Sequence, residues 1–177
     1  RGYGVPVGCV MTTSGTLAMG PVGYDIGCGM AALRSDVPRD RATTERVREF
    51  SSKVMSRVGL GKGSKGENVS RERFQEILRG GAEAVGERRG AAERDRIPVD
   101  DDWDVPKDSR AWRGQGQLGS LGGGNHFIEL QHDGERLWVM FHTGSRGFGH
   151  GLATWYFERA QEELGLSRGQ MDLGYFT

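Results

Sequence analysis

Four side chains in this sequence have the chemistry to bind a divalent cation: Asp25 and Cys28 in GPVGYDIGCGM, His126 at the head of NHFIELQ, and His142 at the end of RLWVMFH. A carboxylate, a thiol that ionises readily against a metal, and two imidazoles make a good donor set. Four such ligands would close one structural site. Alternatively, a thiolate shared by two ions, with positions left open for phosphate oxygens, would build a two-metal phosphoryl-transfer centre. Taken singly each residue is weak, since a lone cysteine is more often packing and a lone histidine more often a hydrogen-bonded surface or core residue. Cys9 has neither histidine nor carboxylate beside it and reads as structural, while His132 and His150 receive no role. Two cysteines do not make a disulfide framework, so the expected compartment is reducing and cytoplasmic.

The elements that must gather these groups can be read from spacing. NHFIELQ, HDGE and RLWVMFH form a β-hairpin turned at Asp133-Gly134, with His126 opening one strand and His142 closing the other. A two-residue turn there puts Asn125 opposite His142 and sends the two imidazoles to opposite faces. A shared metal site therefore predicts a longer loop or a bulge. Asp25 and Cys28 sit in a glycine-flanked turn leading into a short buried strand at 30–34, and 2–10 reads as another. Val47, Phe50, Val54 and Val58 predict an amphipathic helix over 44–58, and Phe74, Ile77, Leu78 and Val85 one over 71–85, both with their apolar stripes in the core.

After His142, TGSRGFGHG feeds a further helix with Leu152, Trp155, Tyr156 and Ala160 on one face and Gly165 as its C-cap. Free amides at that helix start, with Ser145 and Arg146, form a candidate anion site, weighed evenly against a plain helix-entry turn. The basic GKGSKGEN block lacks Walker A spacing and reads as a flexible connector. Residues 86–117, poor in apolar side chains and mixed in charge, read as a solvated excursion without its own core. The fold class expected is α+β: a mixed, largely antiparallel sheet, a hairpin bearing the histidines, and flanking amphipathic helices, within one domain spanning 1–177.

Composition narrows the partners. Net charge is zero, so any polyanion must be held by a local cluster and not by an overall basic field. No apolar run reaches the roughly 18 residues that cross a bilayer. The sequence has 30 glycines in 177 residues, where the usual share of ~7% would give about a dozen. They fall in blocks, which points to turns or to backbone brought close to something.

Four blocks in order, GYGVPVG, PVGYDIGCGM, GSLGGGNHFIEL and HTGSRGFGH, resemble the RtcB family of RNA-splicing ligases. The resemblance implies an RtcB-like fold and an enzyme that joins RNA 2′,3′-cyclic phosphate or 3′-phosphate ends to 5′-hydroxyl ends in tRNA splicing or RNA repair. It implies GTP and two manganese ions as cofactors and an archease-type activator as a partner. In such enzymes a histidine is guanylylated, the guanylyl group passes to the RNA 3′-phosphate, and the 5′-hydroxyl displaces GMP. Carried over by motif, Asp25, Cys28, His126 and His142 become manganese ligands. Asn125, Phe127 and Glu129 contact the nucleotide, and Arg146 contacts phosphate or RNA in catalysis.

The departures are specific. Gly27 stands where the family commonly has asparagine, and the family's guanylylated histidine has no counterpart among these residues. The expectation is therefore a piece of a longer ligase that is not guanylylated by itself. Cysteine and histidine favour zinc over manganese by affinity order, so manganese use would rest on geometry and supply. Two other classes remain open: a two-metal phosphoesterase or nuclease, and a noncatalytic module closed around structural zinc.

Overall fold

The computed structural model of the chain describes residues 5–6, 8–84, 99–100, 102–167 and 174–177. Two small antiparallel sheets and four α-helices make a mixed α+β arrangement. Strands β1 (Leu17–Ala18) and β5 (Tyr175–Phe176) pair with one another. The larger sheet has the order β2 (Gly29–Pro38), β4 (Arg136–Thr143), β3 (Phe127–His132), with β4 central and both pairings antiparallel.

The β3–β4 hairpin forms as alternation predicts, but its turn is centred one residue later than Asp133-Gly134. Its last ladder pair is His132 with Leu137, and the Asp133 N–H donates to Arg136 O at 3.3 Å. Asp133 explains the shift. Its Oδ1 accepts from the Glu135 and Arg136 N–H groups at 2.9 and 2.8 Å, and its Oδ2 accepts from Trp138 Nε1 at 2.9 Å. An aspartate that satisfies three donors selects the turn around itself. The register now places Phe127, not Asn125, opposite His142.

Helix α1 (Met19–Val22) is a single turn, and α2 (Thr44–Arg57) starts at Thr43, whose Oγ1 accepts from Arg46 N at 3.4 Å. The apolar stripe of α2 is not core among the described residues: none of its residues is buried, and Met55 is 70% exposed. Helix α3 (Arg71–Ala84) does bury Phe74, while Val85 lies outside the described residues. Helix α4 (Arg146–Glu163) ends as expected, with Gly165 N donating to Glu162 O and Leu166 N to Gln161 O, the paired bonds of a Schellman cap. Its buried face differs from the expected one. It runs through Gly149, Ala153, Phe157, Ala160 and Gln161, with Met19 packed against it.

Two further expectations are corrected. The described part of 5–10 is not strand, and Val10 is 95% exposed. Strand β2 covers 30–34 as expected but is an edge, with Met30 and Leu33 both more than half exposed. Of the supposed solvated excursion, 85–98 and 101 lie outside the described residues, whereas the part from Val105 onward is packed. Val105 and Ala111 are buried, a 3₁₀ helix spans Arg110–Gly116, and Trp112 meets Phe74 edge-on at 6.3 Å beneath the Arg71 guanidinium. That 3₁₀ helix lies against α4 so closely that a methyl on Gly151 would overlap the backbone of Arg110 and Ala111.

Candidate metal centre

Strand order explains why distant residues converge. His142 closes the central strand, so the segments entering β2 and β3 flank it. Met30 is its ladder partner on one side and Phe127 on the other. Asp25 to Cys28 form a tight turn just before β2, closed by Cys28 N donating to Asp25 O at 3.2 Å. Gly27 adopts φ 73° there, in the left-handed region that glycine occupies freely and asparagine tolerates better than other residues. The turn is tied to α4 by the Ser145 hydroxyl, which donates to Ile26 O, and by Tyr24, stacked on Phe157 at 4.9 Å and on His150 at 5.0 Å.

Donor atoms of Asp25, Cys28 and His142 all lie within 4.8 Å of one another. His142 is buried, and its Nδ1–H donates to Asn125 O at 2.9 Å, which fixes the tautomer and leaves Nε2 as a lone pair for a cation. His126 precedes β3 and so escapes strand alternation. Its ring stands edge-on to His142 at 5.1 Å, and its Nε2 donates to Asp25 Oδ2 at 2.9 Å. The two imidazoles therefore meet without the bulge the sequence called for. His126 Nδ1 is buried with no hydrogen-bond partner among the described residues, and a Cβ on Gly122 would overlap that ring.

Partial desolvation, and then the neighbouring Asp25 carboxylate, push the Cys28 thiol up from its ordinary range. A cation among these ligands reverses that preference by favouring thiolate. The mixed soft and hard donor set and the clustering of Asp25, Cys28 and His142 fit a divalent metal, while His126 stands outside that three-residue cluster and reaches it through its bond to Asp25. Cys9, by contrast, is exposed and free, and nothing structural explains it.

Asp25, Cys28 and His126 line a cleft of about 730 Å³, with His142 buried behind it, and the lining also includes Lys62, Gln117, Asn125, Arg146 and His150. Phe127 contacts the His142 ring edge-on at 6.0 Å, and Glu129 follows on the same side of β3, exposed, with Oε2 accepting from Gln131 Nε2 at 2.8 Å. Arg146 borders the cleft but is already engaged. Its Nε donates to Ser120 Oγ at 3.1 Å and its Nη2 to Ser64 Oγ at 3.0 Å. Nor does the start of α4 offer the free amides expected of it. Gly147 N donates to Gln117 Oε1 at 2.8 Å, and Phe148 N and Gly149 N both donate to Ser145 O.

The GKGSKGEN block is a pinned loop, not a loose connector. Ser64 Oγ donates to Gly59 O and Leu121 O, Leu121 N donates to Gly59 O, and Glu67 N donates to Leu118 O. Sequence reasoning missed Lys62, Ser64, Gln117 and Ser120. The available signal was the pairing of two glycine blocks, since each supplies the backbone against which the other folds.

A profile of the tRNA-splicing ligase RtcB family matches residues 1–174. The chain belongs to the RtcB family. Among curated RtcB proteins, it is 32% identical to the tRNA-splicing ligase RtcB of Thermococcus kodakarensis over 94% of this chain and 40% of that protein. It is 33% identical to that of Pyrobaculum aerophilum over 98% of the chain and 42% of the relative. The RNA-splicing ligase RtcB of Escherichia coli K12 is 30% identical over 99% of the chain and 42% of the relative. The chain thus spans about two-fifths of the length of these RtcB proteins. Among its described residues, no helix is long and apolar enough to cross a membrane.

Proposed function

We propose that these residues carry the metal-binding part of a GTP- and manganese-dependent RNA ligase, one that joins 2′,3′-cyclic phosphate or 3′-phosphate ends to 5′-hydroxyl ends. The supporting observation is the convergence of Asp25 and Cys28, from the turn before β2, with His142 of the central strand β4, and His126 bonded to the same carboxylate. Asp25, Cys28, His126 and His142 would hold the metal, which when bound supplies Lewis acidity to phosphate oxygens and favours the thiolate.

The chain's own groups do the rest of the positioning. Asn125 fixes the His142 tautomer through its carbonyl and lines the cleft. Phe127, edge-on to His142, and Glu129, two residues further along β3, would contact the nucleotide. Arg146 adds positive charge at the cleft rim for an RNA phosphate. The histidine that would carry GMP is assigned to none of these residues, and an archease-type activator belongs to this reading as a partner of the whole enzyme.

The test is ligation by the full-length protein of RNA bearing cyclic-phosphate and 5′-hydroxyl ends, with Cys28→Ala beside wild type. Loss of the Cys28 thiolate as a ligand is expected to lower both manganese content and ligation by more than about 100-fold, beyond what removing a supporting group costs. Full activity of Cys28→Ala with unchanged manganese would overturn the reading. Activity supported by zinc but not manganese would overturn the choice of metal.

A further inference from the structure

The cleft beside the metal ligands has a cation that nothing above assigns. Lys62 lies between Gly61 and Gly63, both at positive φ, at the tip of the 59–67 loop. Its two sides are fixed by one residue: Arg146 Nη2 donates to Gly61 O and Ser64 O at 3.4 Å each, and to Ser64 Oγ at 3.0 Å. Arg146 Nε holds the same assembly to Ser120. The loop tip is thereby locked with Lys62 and Gly63 lining the same cleft as Asp25, Cys28, Asn125 and His126. Among the described residues no carboxylate pairs with the Lys62 ammonium.

Charge accounting points the same way. Asp25 is the one carboxylate lining the cleft among the described residues, and it is already bonded to His126, whereas Lys62 and Arg146 both line it. Two cations against one carboxylate leave the cleft positive, so the ligand it favours is an anion. Of the two cations, Arg146 has Nε and Nη2 committed to the loop, whereas Lys62 is exposed with its ammonium donors free to turn.

We propose that Lys62 is a phosphate-binding residue of this site and that Arg146 acts in part as the positioning residue that sets the Lys62 loop. The phosphate comes either from a 3′-phosphorylated RNA end or from a nucleotide. The proposal deepens the ligase reading and rests on it for the identity of those two sources, but the anion site itself does not need it.

The experiment measures equilibrium binding to the manganese-loaded full-length protein of three probes: inorganic pyrophosphate, GTP, and an RNA oligonucleotide compared with and without its 3′-phosphate. Lys62→Ala is expected to weaken the phosphate-dependent binding by about tenfold, the size of one hydrogen bond between charged groups. Lys62→Arg recovers most of it, and manganese binding does not change. Lys65→Ala is the control, since Lys65 shares the loop but does not line the cleft.

Arg146→Lys keeps charge but loses the fork, and the proposal expects it to add little to the loss already caused by Lys62→Ala. A defect confined to RNA or to GTP names the source of the phosphate. Pyrophosphate binding that depends on Lys62 in a protein without manganese-dependent ligation upholds the anion site and sinks the ligase reading. Binding of all three probes by Lys62→Ala indistinguishable from wild type, or Lys65→Ala equally impaired, overturns the assignment of Lys62.

Discussion

Single residues in this site are constrained from behind as much as from the cleft. Gly144 follows the His142-Thr143 strand end, and a Cβ there would stand 2.5 Å from Asp25 Oδ1. Gly144→Ala must therefore push the carboxylate away from Cys28 and His142 while leaving the hydrophobic core of Met19, Ala153 and Phe157 untouched. We expect a protein that folds with little loss of thermal stability but binds metal at least about tenfold more weakly, as for displaced supporting groups in metal sites. Alkylation reads this directly: metal should protect Cys28 in the wild type, with exposed Cys9 as the internal reference, and should protect it poorly in Gly144→Ala. Equal protection in both proteins would show that the Gly144 contact does not set the ligand geometry.

At the scale of elements, the β3–β4 hairpin is controlled by Asp133. Two backbone N–H groups and then the Trp138 indole hold its carboxyl well below the usual carboxylate range. With the folded pKa depressed, the turn's stabilisation is complete above the unfolded value of about 3.9 and is lost as pH falls through the lower folded one. Trp138 fluorescence should therefore change only at pH below the ordinary aspartate range, and Asp133→Asn should abolish that transition. A transition near pH 4 would contradict the hydrogen-bonded turn.

The same aspartate shows what the sequence could and could not tell. Alternation revealed two strands and a turn, but the choice between adjacent turn centres depended on three side-chain bonds that no periodicity encodes. Helices α2 and α3 were readable from apolar spacing, as was the Gly165 cap. The full buried face of α4 was not, because apart from Phe157 and Gln161 it is built from Gly149, Gly151, Ala153 and Ala160, small residues that carry little hydrophobic signal, with Gly151 set against the 3₁₀ helix. Residues 104–117 were misread for a related reason. Their large apolar side chains are few, Val105 and Trp112, and the rest of the packing is made by small residues, Ser109, Ala111 and Gly114, set among charges. The clustering of Asp25, Cys28 and His142 was legible because their side-chain chemistry is rare, while Lys62 was hidden in a block whose lysines looked interchangeable.

For the molecule as a whole, the cluster is assembled from parts that belong to different bodies. His142 is fixed by the sheet through pairing with both neighbours, whereas the Asp25–Cys28 turn is fixed to α4 through Ser145 and the stacking of Tyr24 on Phe157. A cation that binds both halves joins sheet to helix. Its effect should therefore spread beyond the loops: metal is expected to slow amide exchange in β4 and in the N-terminal half of α4 together. Protection limited to residues 25–28 would mean that the turn binds metal without engaging the strand.

Tyr24 gives this arrangement a further consequence. Its ring lies between His150 at the cleft and Phe157 in the core. A sterically larger or smaller group at position 157 would tilt a ring one residue away from Asp25, so packing errors deep in the helix arrive at the ligands as changes of angle. Natural variation at Phe157 should then be coupled to variation at Tyr24, making an interior position part of the heritable definition of the site.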